Sequence, residues 1–118
     1  MNLAALRTHC LAKAGTTEER PFGPDTLVFK VMNKMFALCG DEPQPAFVNL
    51  KCDPDDALAL RAQFEGIKPG YHMDKRLWNS VYLVDDVPDG LIFELIDDSY
   101  ELIVASLPKK ARKKLESR

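Results

Sequence analysis

The chain has 118 residues, 46 % hydrophobic and 29 % charged, with 16 Lys and Arg against 18 Asp and Glu for a net charge of −2. That length leaves room for one domain spanning 1–118, and the composition is that of a globular protein rather than a disordered one. No apolar run approaches the roughly 20 residues of a membrane helix, and Arg7 interrupts the N-terminus too early for a signal peptide, so the chain reads as cytoplasmic.

In chain order, Asn2 is placed to cap a first helix carrying Leu3, Leu6, Cys10 and Ala14, with Gly15 as its stop. Residues 16–25, broken by Pro21, Gly23 and Pro24, read as a loop. Two β-rich runs, 26–31 and 35–40, flank Asn33-Lys34 and suggest a hairpin. After the break "DEPQP" (41–45), residues 46–51 (AFVNLK) alternate as a third strand. Asp53 then caps a helix with Pro54 at its first position and acids on its positive end; Leu58, Arg61 and Phe64 follow, and Gly66 stops it. Residues 67–77 read as irregular, and 78–84 (WNSVYLV) as a half-buried strand. Pro88-Asp89 opens the strongest helix, whose stripe is Leu91, Ile92, Leu95, Ile96, Ser99, Leu102 and Ile103. Pro108 interrupts it, and a short basic helix follows at 109–115. The expected fold is α+β with two layers: an antiparallel sheet with helices packed on one face.

The charge is unevenly laid out. Seven acids and no Lys or Arg occupy 85–101, whereas 109–118 holds six basic residues and Glu116. Cys10, Cys39 and Cys52 have no CxxC spacing and read as buried reduced thiols. His9 and Cys10 point about 100° apart on a helix, so no metal site is expected. The chain has no GxGxxG, Walker, HExxH or GxSxG motif, which leaves a non-enzymatic protein without cofactor as the expectation.

Residues 70–83, "GYHMDKRLWNSVYL", concentrate the remaining chemistry. Lys75 and Arg76 suit phosphates, Asn79 suits an adenine edge, and Tyr71, His72 and Trp78 suit stacking on bases. Each also has an ordinary structural use: Trp78 in the core, Asn79 closing a turn, the two cations solvated. Lys30 and Lys34 flank the hairpin turn in the same way.

The His72-x5-Trp78-x2-Val81 pattern, the Ser99-Tyr100 pair and the exit Leu107-Pro108, together with "CLAKAGTTEERPFGPDTLVFKV" and "MFALCGDEPQPAFVNLKCDPDDALALRAQF", resemble the MmcQ/YjbR family along essentially the whole chain. The resemblance implies a CyaY-like fold and DNA binding through a double wing of hairpin loops. On this chain the wings are the 31–35 turn and the 70–79 segment, bearing Lys30, Lys34, Lys75 and Arg76. The pI near 5.7 departs from a typical nucleic-acid binder. Frataxin-type proteins of that fold bind iron on an acidic first helix, but residues 2–14 contain no Asp or Glu. The expectation is a monomer that contacts duplex DNA and no membrane. The alternative is an adaptor for a protein partner or small ligand, built on Tyr71, His72 and Trp78.

Overall fold

The computed structural model describes residues 1–41 and 45–117. Part of the 41–45 break, and Arg118, therefore lie outside the described residues. Among the described residues, the fold is a six-stranded antiparallel sheet with four helices, as expected of an α+β chain. Helix α1 is Leu3–Leu11, α2 is Pro54–Gln63, α3 is Asp89–Ala105 and α4 is Lys109–Glu116. The strands are β1 (Thr16–Glu19), β2 (Thr26–Val31), β3 (Lys34–Gly40), β4 (Phe47–Lys51), β5 (Ile67–Pro69) and β6 (Trp78–Tyr82), in spatial order β1-β2-β3-β4-β6-β5.

Local signals account for most of these boundaries. The Asn2 side chain accepts a hydrogen bond from the Ala5 N–H (2.8 Å), and the Asp53 side chain accepts one from Asp55 (3.0 Å). Helix α1 ends at Leu11, short of Gly15. The hairpin turn sits one residue earlier than expected. Met32 and Asn33 both take positive φ (47° and 69°), the conformation of a two-residue turn matching strand twist, so Lys34 starts β3.

Two expectations are corrected: 16–25 and 67–77 are not wholly irregular. Thr16–Glu19 pairs with β2, and Ile67–Pro69 pairs with β6. Both are the sheet's edges, where short polar strands borrow their hydrogen bonds from a neighbour and leave one side to water. Pro69 is tolerated there because an edge position needs no N–H on its outer side.

The helices cover one face. Cross-strand partners Phe29/Ala37, Ala37/Leu50 and Cys39/Val48 point into a core shared with Leu6, Ile92, Ile96 and Ile103. Phe36 is an extra residue in β3: Phe29 opposes Ala37 and Lys30 opposes Met35, so Phe36 opposes nothing. The bulge turns the Phe36 ring inward, edge-on to Tyr100 (5.3 Å). It also frees the Phe36 carbonyl, which accepts from the Ser99 hydroxyl (2.7 Å), while the Ser99 oxygen accepts from the Lys51 N–H (2.9 Å). Tyr100 donates its phenol proton to Ala14 C=O (2.6 Å). The Ser99-Tyr100 pair thus fastens α3 to the bulge, to the end of β4 and to Ala14 in the turn that follows α1.

His9 and Cys10 do diverge. Cys10 is buried, whereas His9 stacks on Phe93 (4.4 Å) and reaches Asp97 (2.7 Å). Lys13 pairs with the same carboxylate. Burial opposes ionisation of Asp97, but hydrogen bonds from Lys13 and His9 outweigh it and hold the carboxyl below its usual range. A lowered folded-state pKa adds stability above the unfolded value, and that stability is lost as pH falls through the folded value. Asp97→Asn should therefore flatten the acid limb of a stability-versus-pH curve below about pH 4, read by urea unfolding at several pH values. An unchanged acid limb would disprove this role for Asp97.

Candidate functional site

The antiparallel register decides which chain segments share an end of the sheet. Ala37 faces Leu50 and Lys51 faces Trp78. The Met32-Asn33 turn, the end of β4 and the 70–77 loop therefore lie at the same end, with β4 between the two tips. Neighbouring strands are about 4.8 Å apart, so the tips are separated by roughly two strand spacings. Lys34, Lys51, Lys75 and Arg76 come to this rim from three elements.

The pairing of cations differs across the molecule. Arg7 and Arg20 are paired with Glu18, Lys13 with Asp97 and Lys30 with Glu19 (3.1 Å). Among the described residues, Lys34, Lys51, Lys75 and Arg76 enter no ion pair, and neither do Arg61, Lys68 or the five cations of α4; what distinguishes the first four is that three elements bring them to one rim. Lys75 Nζ donates only to the Gly70 carbonyl (3.1 Å), and Arg76 is held by its N–H on Asp74 (3.0 Å). Carboxylates gather elsewhere: Asp53, Asp56, Asp98 and Glu101 border a groove of about 590 Å³ between α2 and α3.

The loop is fixed from two sides. From the helix layer, Arg61 donates through Nε to Asn79 Oδ1 (2.6 Å), through Nη2 to Trp78 C=O (3.3 Å), and also to Lys75 C=O. From the opposite face, Tyr71 N–H donates to Ser80 Oγ (2.8 Å), and Asn49 Nδ2 donates to Tyr71 C=O (3.0 Å). Ser80 in turn donates to Asn49 Oδ1 (2.5 Å). Gly70 sits where a Cβ would come within 2.9 Å of the Trp78 carbonyl, so the loop's entry requires glycine. His72 then takes φ of 59°, and its ring lies 4.1 Å from that of Tyr71.

Of the residues singled out from sequence, Lys34, Tyr71, His72, Lys75 and Arg76 are exposed, and Lys30 and Trp78 are half-buried. Asn79 needs correction. It is 2 % exposed under α2, with its oxygen on Arg61 and its amide on Ala57 C=O (3.4 Å), so it presents no edge to a base. Strand β6 is likewise buried on both faces rather than one, because the 70–77 loop folds over Ser80.

Lys51, Arg61 and the Asn49–Ser80 pair were not singled out. A lone polar residue between Val48 and Leu50 was a signal for Asn49; nothing local marked Arg61. Arg61→Ala should lower the unfolding free energy by about 1–3 kcal/mol, because it orphans the buried Asn79 oxygen. Denaturant melts would read this, and a loss below about 0.5 kcal/mol would contradict it.

Fold and rim together define a two-layer α+β domain that presents two loop tips at one end of a helix-backed sheet. The chain belongs to the YjbR family, whose family model matches residues 11–102. It is 41 % identical over 95 residues to the uncharacterized protein YbdF of Escherichia coli O157:H7, covering 80 % of this chain and 78 % of that one. It is 33 % identical over 115 residues to the uncharacterized protein YjbR of Escherichia coli K12, covering 98 % of each. The crystal structure of Deinococcus radiodurans protein DR2400 superposes with a TM-score of 0.89 at 37 % identity, over 98 % of this chain and 88 % of that one. A protein from Pseudomonas syringae gives 0.78 at 30 % identity, over 86 % and 98 %. Among the described residues, no helix is long and apolar enough to cross a membrane.

Proposed function

We propose that this protein binds duplex DNA as a monomer, without catalysis, through the cationic rim. The observation that carries the reading is the gathering of Lys34, Lys51, Lys75 and Arg76 at one end of the sheet, none of them in an ion pair among the described residues. Cations already neutralised by a carboxylate have little left for a phosphate, whereas free ones release counterions when they bind. Tyr71 and His72 stand beside Lys75 as exposed rings. A net charge of −2 does not oppose this, because screening beyond about 8 Å makes a local surface matter more than the total.

Three features support binding rather than chemistry at the thiols. Burial pushes Cys10 up to about 12 and Cys39 well above the usual thiol range. Burial, with Asp56, Asp53 and Asp98 nearby, pushes Cys52 up to about 11. None of the three is a thiolate nucleophile at neutral pH.

Four phosphate contacts imply that affinity for duplex falls about a hundredfold between about 50 and 200 mM salt. Lys75→Glu with Arg76→Glu should weaken binding at least about tenfold and reduce that salt slope. Lys113→Glu with Lys114→Glu, on exposed positions of α4, should leave both nearly unchanged. Fluorescence anisotropy with a labelled duplex reads all three. Equal binding by the rim variant, or an equal loss in the α4 variant, would refute the reading.

A further inference from the structure

The sheet face turned away from the helices is not bare. Phe47, Asn49 and Leu38 lie on it beside their partners Tyr82, Ser80 and Val28. The 70–77 loop on one side and Phe22 on the other enclose a cleft of about 510 Å³ above it. That volume is within the range of sites that hold small molecules. We propose that this cleft binds a neutral, planar heteroaromatic ring of purine size.

The lining decides the ligand class. Phe22, Met35, Leu38, Phe47, Tyr71 and Met73 supply aromatic faces and thioethers, both of which favour a flat π-system. Among the described residues, no Lys, Arg, Asp or Glu lines the cleft, which disfavours a charged ligand. Thr26 and His72 supply hydrogen-bonding groups of the sort that orient a ring nitrogen or carbonyl. Phe22 is 71 % exposed and Tyr71 44 % exposed, so at the mouth one large ring stands mostly in water and a second is partly open to it.

The wall is also built before any ligand arrives. Tyr71 is gripped at both backbone atoms by the buried Asn49–Ser80 pair, and its ring meets Phe47 edge-on at 6.3 Å. His72 follows directly in a left-handed conformation, its ring 4.1 Å from that of Tyr71. A rigid aromatic wall loses little conformational freedom on binding.

The cleft shares the 70–77 loop with the cationic rim but is lined by its Tyr71, His72 and Met73 rather than by Lys75 and Arg76. Methionine-methyl NMR provides the readout, because Met35 and Met73 line the cleft while Met32 sits at the hairpin turn. Adenosine and indole should each shift Met35 and Met73 saturably and leave Met32 in place. Tyr71→Ala should weaken adenosine binding about fivefold or more, and Leu38→Trp, which fills the cleft, should abolish it with the Met1 and Met32 signals intact. Lys75→Glu with Arg76→Glu should leave ring binding unchanged even if duplex binding is lost, which separates failure of one reading from failure of the other. A short single-stranded oligodeoxyadenylate that shifts Met35 and Met73 where free adenosine does not would still place a ring in the cleft, with a strand as its source. Cyclohexanol binding as tightly as adenosine, or no shift with adenosine, indole or the strand, would overturn the proposal.

Discussion

Replacing Phe36 by alanine is expected to lower the unfolding free energy by about 3–5 kcal/mol, among the largest losses available to a single substitution here. The ring is fully buried, and removing it strips the surface it shares with Tyr100 and leaves a void beneath α3. The bulge raises the stakes. Its free carbonyl holds Ser99, which also holds Lys51, so a collapse around the void displaces the anchor of α3 and the end of β4 together. Phe36→Leu should retain much of the stability, since it keeps most of the volume. Chemical denaturation with both variants checks this. A Phe36→Ala loss under about 1 kcal/mol would mean that the bulge does not seat this ring in the core.

The second large effect separates two leucines that sequence reading treats alike. Both belong to the apolar stripe of α3, and both are expected in the core. The structure buries Leu95 (8 % exposed) but leaves Leu102 at 37 %, on the open groove beside α2. Leu95→Ala should cost about 2–3 kcal/mol, the lower part of the usual range, because one side of the site can relax toward the groove. Leu102→Ala should cost under about 1 kcal/mol. Equal losses from the two variants would show that α3 is rotated relative to this packing.

That contrast marks how far local pattern reaches. Helix α3 was legible because 17 residues repeat the apolar period many times, enough to fix which side faces inward to within about one residue. At the stripe's margin, exposure depends on whether a neighbouring helix lies over it, and that is not written in the period. Helix α2 makes the same point. Its caps were plain, but Leu58 is 62 % exposed and only Ala57 is buried, so its inner face could not be read from apolar spacing. The two edge strands escaped notice because TTEE and IKP carry no alternation of their own; their hydrogen bonds come from β2 and β6.

The candidate site divides along the same line. Residues 70–83 stood out by composition, since few stretches mix so many rings and cations. Their division of labour did not: Arg61, far along the chain, carries the loop, and Asn79, read as a possible reader of bases, is turned under α2 to receive it.

By itself, then, the order of residues determined the elements whose signals are local: the helices among the described residues, the Asn2 and Asp53 caps, the long central strands, the hairpin, and membership in a family of this shape; α1 and α2 end at Leu11 and Gln63, short of the glycines expected to stop them. Only the tertiary structure decided that the hairpin turn and the 70–77 loop share one end of the sheet, which cations stay unpaired there, and that a cleft opens on the face without helices. The reason is that period and capping act over a few residues, whereas register, pairing of charges and the closing of a cavity depend on contacts between segments that the chain brings together only when it folds.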